Sequence, residues 1–455
     1  AAAAHLPGGS YCGIADRSAI FVSDNSGSSW GLRCIVETSP RQFTADPSLR
    51  LLKDELYLAY LFAIDFGAGV STVRLASAGD FLSDPVMTKP FEDWPRFDQP
   101  QLQTWPGSTE AGAVGFAASD MNTLAESPIV CHAGVVLAAD PALGPWMKQC
   151  IAFRSGYGGH FGSRLSAHQD GTLFAAYQRV VDFPRTCVQP ALVTCYEGDV
   201  VVLRGDPEHM ESAPLAQLEE KPAAGSPTRC EHGGDPGLGT RPARCRILPN
   251  DYTHNEAFGQ ERRSSPQLAL AVHPANSRRV YVAWADSVPG VLLRLHVSTS
   301  EDGGETWTEL SGAEVNDATN PTLAITEDGR LGFLYQQIAV VDGKRFWHTR
   351  LIITQDDFVS KSTYRLADTP AWIPTADRHP YIGDYVDLVA VNKTFYGVFS
   401  ASNERINSTF PCGVTILRNV TATDLRDPSG LVMVPPSIDP YFFRVSTASG
   451  LPREC

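Results

Sequence analysis

Residues 320–338 read NPTLAITEDGRLGFLYQQI. A Pro near the start leads into a short alternating run, then a polar Asp-Gly turn, then a second run rich in aromatic and β-branched residues. Period-two alternation on both sides of such a turn predicts an antiparallel hairpin. The pattern occurs six times along the chain. The other copies are ADPSLRLLKDELYLAYLF (Ala45 to Phe62), DQPQLQTWPGSTEAGAVGFAAS (Asp98 to Ser119), GSRLSAHQDGTLFAAYQRV (Gly162 to Val180), SPQLALAVHPANSRRVYVAWAD (Ser265 to Asp286) and GDYVDLVAVNKTFYGVFSASN (Gly383 to Asn403). Each is followed by a third strand pattern, such as VLLRLHVSTS (Val291 to Ser300) or FWHTRLIIT (Phe346 to Thr354).

A multi-stranded unit repeated at this spacing predicts an all-β protein, a β-propeller whose blades bury their faces against one another. Six strand pairs imply six blades in one domain spanning 1–455. The segment AIFVSDNSGSSW (Ala19 to Trp30) has no pair of its own and is expected to add outer strands to the last blade, closing the ring. A seventh blade follows if the tail around Val432 to Val445 contributes strands. A two-sheet sandwich leaves the repeat unexplained. Gly205 to Arg262 breaks the rhythm, being rich in Pro, Gly and charge, and reads as a long loop tied by Cys230 and Cys245. Loops of this length in compact domains are functional or disordered, and a lid over one face is the functional reading.

Ser300-Glu301-Asp302-Gly303-Gly304-Glu305-Thr306-Trp307 reads S-x-D-x-G-x-T-W. It closely resembles the Asp-box, or BNR repeat, of the sialidase superfamily. Asp and Ser bond turn amides there, Gly supplies positive φ, and Trp packs between strands. Ser23 to Trp30 is a degenerate copy, with Asn25 where the Asp would stand. The resemblance implies a sialidase-like propeller, a scaffold shared by sialidases, other glycosidases and lectins, so function has to be argued from the site. True sialidases carry an R-I-P-like motif entering the first blade. Here Thr44-Ala45-Asp46-Pro47 enters it, with Ala45 at the arginine's place, and the family's catalytic roles do not transfer.

Propeller ligands sit over the central channel, at the starts of the innermost strands. Those starts offer Asp46; Arg96, Asp98 and Gln99; His160 and Arg164; Arg262, Arg263 and Ser264; Asp317 and Asn320; and the run Arg378-His379-Pro380-Tyr381-Ile382-Gly383-Asp384-Tyr385. His379, Tyr385, Tyr381, Asp384 and His160 are the candidate catalytic groups, since His and Tyr serve as general base and acid. Arg263, Arg378, Arg96, Asp98, Gln99 and Asp46 are the candidate substrate-binding groups. A structural role competes: Tyr381 and Tyr385 filling a blade junction, and Asp384 tying a turn. Carboxylate-pair chemistry would require Asp46, Asp98 and Asp384 to share one cavity at ~5–9.5 Å.

Thirty-seven Lys+Arg against 51 Asp+Glu give a net charge of −14, which disfavours nucleic acid and anionic membranes as partners. No apolar run reaches the ~18 residues of a spanning helix. The ten Cys show no metal-like spacing, and the near neighbours Cys131/Cys150, Cys187/Cys195 and Cys230/Cys245 fit local disulfides. The AAAAHLPGG opening without Met suggests a cleaved signal peptide. With three sequons at Asn392, Asn407 and Asn419, this predicts a secreted glycoprotein. There is no H-E-x-x-H, Walker, EF-hand or G-x-S-x-G motif, which disfavours metalloprotease, nucleotide-hydrolase and α/β-hydrolase readings; no cofactor or metal site is assigned, and a calcium ion in the channel or a loop stays open. The sequence therefore predicts a secreted propeller enzyme acting on a glycan or glycoside. Two alternatives stay open: a noncatalytic carbohydrate-binding propeller, and a lyase, isomerase or cyclase of a small molecule using the His/Tyr/Arg cluster.

Overall fold

A computed structural model describes residues 2–6, 17–34, 43–52, 55–63, 71–78, 86–88, 97–105, 113–120, 133–138, 147–151, 160–180, 185–188, 192–205, 216–217, 246–249, 268–286, 291, 293–373, 382–383, 385–404, 406–411, 413–417 and 436–447. Among these residues all regular structure is strand and no helix is long and apolar enough to cross a membrane.

The strands group into separate antiparallel sheets in a propeller arrangement. Six sheets begin with the hairpins expected from the sequence. Their innermost strands are Phe43–Leu52, Phe97–Trp105, His160–Ala167, Leu268–His273, Ala318–Ile325 and Asp387–Val391, here the first to sixth sheets. Apolar side chains fill the junctions between sheets. Phe174 and Val202 of the third meet Leu270 and Val282 of the fourth. Leu295 and Val297 of the fourth meet Phe333 and Ile352 of the fifth, and Leu334 and Leu351 of the fifth meet Phe395 and Phe443 of the sixth. Each such side chain contributes about 1.5–3 kcal/mol.

The innermost strands share an irregularity. In the first, second, third and fifth sheets the register gains one residue just after the strand begins, between Ala45 and Ser48, Asp98 and Gln101, Phe161 and Arg164, and Thr319 and Thr322. The extra residue is a β-bulge. Pro47, Pro100 and Pro321 sit inside three of these bulges, where a residue without an N–H interrupts no ladder bond; Ser163 holds the place in the third.

An innermost strand has a ladder partner on one edge only, so its other edge presents N–H groups to the channel side. The residue after the bulge meets that need. Ser48 Oγ accepts the Leu102 N–H at 2.8 Å, and Gln101 Oε1 accepts the Leu165 N–H at 2.5 Å. One turn of side chains deeper, Ser166 Oγ accepts the Val272 N–H at 2.9 Å. The fifth and sixth sheets are joined by Asn320 Nδ2 donating to Gly383 O at 3.0 Å and Gln336 Nε2 donating to Ser400 O at 2.9 Å.

The N-terminal strands depart from expectation. Ala2–Leu6, Arg17–Val22 and Gly31–Cys34 form a three-stranded sheet of their own rather than extending the sixth. The sixth sheet already draws four strands from 387–446, its third being Ile438–Ser446 and its outermost Val414–Ile416. The described part of the expected tail, Ile438–Ser446, belongs to the sixth sheet, and 432–435 lie outside the described residues. The N-terminal sheet sits between the sixth and the first: Phe21 and Trp30 pack on Leu417 and Phe442, while Ile20 packs on Leu58 and Tyr60. Within 205–262, two short pieces, Ala216–Gln217 and Arg246–Pro249, pair with the strand Leu192–Gly205; the rest lies outside the described residues. The hairpin register sets Cys187 opposite Val193 and Cys195 opposite Arg185.

The turn at Ser300–Trp307 makes the bonds its residues predict. Ser300 Oγ accepts the Gly304 N–H at 2.7 Å, Asp302 Oδ1 accepts the Glu305 and Thr306 N–H groups at 2.9 Å, and Gly303 and Gly304 have φ of 79° and 92°. Ser23 and Asn25 bond the Gly27 and Ser29 amides in the same way. A third copy escaped the sequence reading. Thr354 Oγ1 accepts the Phe358 N–H at 2.9 Å and Asp356 Oδ1 accepts the Ser360 N–H at 2.8 Å, with Asp357 and Phe358 holding φ of 53° and 66° where the fourth sheet has glycines. Those non-glycine residues are held by tertiary contacts. Asp357 accepts bonds from Arg279 and Tyr281 of the fourth sheet, both at 2.7 Å, and Phe358 is buried against Phe333.

Candidate functional site

Residues of all six of these innermost strands line a cavity of about 1070 Å³, whose central part is the channel and which reaches Ser23, Trp30, Tyr396 and Phe442 at one side. Ser48, Arg50, Gln101, Arg164, Asn320, Tyr385 and Asp387 are among the polar residues on its wall. Apolar strand residues such as Leu165, Leu270 and Leu323 make up much of the remainder.

Arg50 on the first sheet and Asp387 on the sixth form a two-pronged pair, Nη1 to Oδ2 at 2.6 Å and Nη2 to Oδ1 at 3.2 Å. Arg50 Nη1 also donates to Leu49 O at 2.7 Å, which fixes the fork. A planar guanidinium meeting a carboxylate through two bonds is the strong geometry for such a pair. It also joins the last innermost strand to the first.

Arg164 stands at the residue after the bulge in the third sheet. The first and second sheets place acceptors there, Ser48 and Gln101, which bond the next strand's amide. A guanidinium has only donors, so Arg164 cannot repeat that bond. It donates instead to Ser163 O at 2.9 Å. Burial pushes Arg164 down to about 10, against the raising effect of Tyr385 and Asp387 and with Arg50 lowering it further. It remains protonated at neutral pH, and Arg50, Arg164, Tyr385 and Asp387 therefore form one electrostatic cluster. Within this described cluster two guanidiniums face one carboxylate.

Asn320 lies in the fifth sheet's bulge with φ of 53°. Its amide donates to Gln336 Oε1 at 2.9 Å and to Gly383 O, the residue two before Tyr385. Gln336 in turn donates to Thr349 Oγ1 at 3.2 Å. This buried network holds the approach to Tyr385 in place.

Of the residues singled out in the sequence, Arg164, Asn320 and Tyr385 are on the channel wall. Asp46, Asp98, Gln99 and His160 lie on the innermost strands, Asp46 and Gln99 within bulges and Asp98 and His160 near their strands' starts, with side chains outside the described set. Arg96, Arg263, Arg378, His379, Tyr381 and Asp384 lie outside the described residues. Arg50, Gln101 and Asp387 were missed. Their signal is a polar or charged residue inside an innermost strand, at a place where the outer strands put solvent-facing residues.

No family model and no curated protein matches the sequence. Among solved structures, the chain is similar to a protein of unknown function from Dyadobacter fermentans, with 12% identity, a TM-score of 0.46, and coverage of 90% of this chain and 97% of that one. It is also similar to an α-L-arabinofuranosidase of Fusarium graminearum, with 11% identity, a TM-score of 0.43, and coverage of 90% and 94%. A Trypanosoma rangeli sialidase in complex with sialic acid gives 9% identity and a TM-score of 0.39, over 97% of this chain and 59% of that one.

Proposed function

We propose that the chain is a secreted carbohydrate-active protein, a single six-bladed ring closed by its N-terminal strands, that binds a glycan or glycoside in the central channel and acts on it there. One observation carries the reading: Arg164, a donor-only side chain held at a burial cost, occupies a position where the scaffold elsewhere uses a stitching acceptor. Residues that oppose the local structural logic concentrate at functional sites. With Tyr385 and the Arg50–Asp387 pair beside it, the wall suits a ligand dense in hydroxyls and bearing a carboxylate, such as a sialic or uronic acid. Tyr385 is the proton-transfer candidate, and Arg164 the group that neutralises the ligand's charge. The sialidase and arabinofuranosidase among the similar structures act on sugars, in line with this ligand class. A lyase using a Tyr/His/Arg set is the second reading, favoured by Tyr385 sharing a wall with Arg164.

The test is calorimetric titration with sialic acid, glucuronic acid, galacturonic acid and neutral sugars, repeated on Arg164→Gln. Binding of an acidic sugar that weakens by roughly tenfold to a hundredfold in the variant supports the assignment. Equal binding by both proteins, or binding of neutral sugars only, overturns it. Tyr385→Phe and His379→Ala then separate the classes, because an enzyme loses turnover and a noncatalytic binder loses at most affinity.

A further inference from the structure

The fourth sheet carries a second cluster, apart from the channel. His296 lies on its third strand, Arg294–Ser300. The register of that strand explains what surrounds it. Leu295 pairs with Val315 and Ser298 pairs with Glu309, so two separate segments run along one edge of the strand on either side of His296. Glu309 and Glu314, the residues at the facing ends of those segments, therefore converge on the imidazole. The donor atoms of His296, Glu309 and Glu314 all lie within 4.8 Å of one another.

The convergence is built in. Between the two glutamates the chain turns through Gly312 at φ 86°, closed by Ala313 N–H donating to Leu310 O at 3.2 Å. Leu310 and Ala313 are anchored in the junction core. The imidazole side chain is 11% exposed, and its plane is fixed by stacking on Trp284, 5.2 Å between centroids at 12°. Its Nδ1 faces Glu309 Oε1 at 2.6 Å. A simple His–Glu pair needs one carboxylate, whereas here a rigid loop delivers two, and like charges this close repel unless a cation lies between them. The Arg294 guanidinium on the same strand is close enough to act on Glu309 by charge, while its Nε donates to Asn316 Oδ1 at 2.7 Å.

We propose that His296, Glu309 and Glu314 bind a divalent transition-metal ion, zinc being the best match to one imidazole and two carboxylates. The ligand lengths needed are about 2.0–2.2 Å, reached by turning the two exposed carboxylates toward the fixed ring. Three protein ligands leave one position for water. The ion ties the strand Arg294–Ser300 to both Thr308–Glu309 and Val315–Asn316 and so clasps the outer edge of the fourth sheet. None of the three residues lines the channel, and the site stands whether or not the channel binds sugar.

The experiment is titration of chelator-treated full chain with ZnCl2 by calorimetry, with the thermal midpoint followed alongside. The wild type is expected to take up one equivalent and to melt at a higher temperature with zinc, because a ligand that binds only the folded state stabilises it. Glu309→Gln/Glu314→Gln, which changes exposed side chains only, is expected to weaken that uptake by at least about tenfold and to abolish the midpoint shift. Glu314→Gln alone gives the same direction if the double variant folds poorly. Zinc uptake unchanged by these variants would place the ion elsewhere, and no uptake by the wild type at millimolar ZnCl2 would remove the site; either overturns the proposal.

Discussion

Arg164 is the residue at which stability and function separate most clearly. Its pKa in the folded chain is depressed to about 10 by burial, below the value it has when unfolded. The unfolded chain therefore holds that proton more tightly, and the charged guanidinium opposes folding at every pH below about 10. Arg164→Gln is expected to unfold at an equal or higher denaturant midpoint than wild type while losing acidic-sugar binding. A variant less stable than wild type would make Arg164 a structural residue. Gly397 shows the opposite balance. A Cβ there would stand 2.8 Å from Asp387 O and against the Phe443 ring. Gly397→Ala should cost about 1–3 kcal/mol and, by shifting Asp387, loosen its pair with Arg50; urea unfolding measures the first effect.

At the scale of elements, the turns decide how much was readable. Alternation on both sides of short polar turns marked the six hairpins, three of them at Asp-Gly or Asn-Lys (Asp170-Gly171, Asp328-Gly329 and Asn392-Lys393), because strand patterning is local. The turn at 300–307 was legible through its glycines, and the turn at 354–360 was not, because Asp357 and Phe358 take the glycine positions with support from Arg279, Tyr281 and Phe333. Tertiary contacts of that kind leave no local trace. Arg50 and Asp387 were missed for a related reason: a charge inside an alternating strand reads as solvent-facing, and only closure of the ring turns that solvent into a channel. Asp302 offers a pH test of the turn. Burial pushes its pKa up, but bonds from Thr306, Ser300 and the Glu305 amide outweigh this and hold it below its ordinary value. A depressed carboxylate stabilises the fold above its unfolded pKa, and that share is lost as pH falls through the folded one. Asp302→Ala should thus be less stable than wild type at neutral pH by about 1–2 kcal/mol, with the gap shrinking in acid below about pH 4. Pro100→Ala should keep its bulge, as Ser163 keeps one without proline, and lose only about 0.4–1 kcal/mol through the freer unfolded chain.

For the whole molecule, the junction between the last and first sheets is the point of closure. It is held by the Arg50–Asp387 pair on the channel side and by the N-terminal sheet between Phe442 and Tyr60. Arg50→Met leaves Asp387 facing the channel without its fork, and should lower stability by about 1–3 kcal/mol, the half-exposed carboxylate limiting the loss. Arg50→Met/Asp387→Leu should recover part of it, as measured by a double-mutant cycle. Removing residues 1–34 uncovers Leu58, Tyr60 and Leu417 together, and should lower the melting temperature and promote aggregation visible in light scattering.

The recurring bulge has a consequence for how such a ring changes over time. It sets the following residue at a matching place in four sheets, and the chain writes a different letter there each time: Ser48, Gln101, Arg164 and Thr322. The backbone around each letter is specified by its own sheet and, beside Gln101 and Arg164, also by the side chain at the preceding address. Ser48 and Gln101 are thereby tied to the address that follows each of them, whereas Arg164, a donor-only side chain, cannot make that stitch, so the architecture behaves as an alphabet with fixed slots in which some letters are coupled to their neighbours and the letter at 164 changes with the least effect on the next.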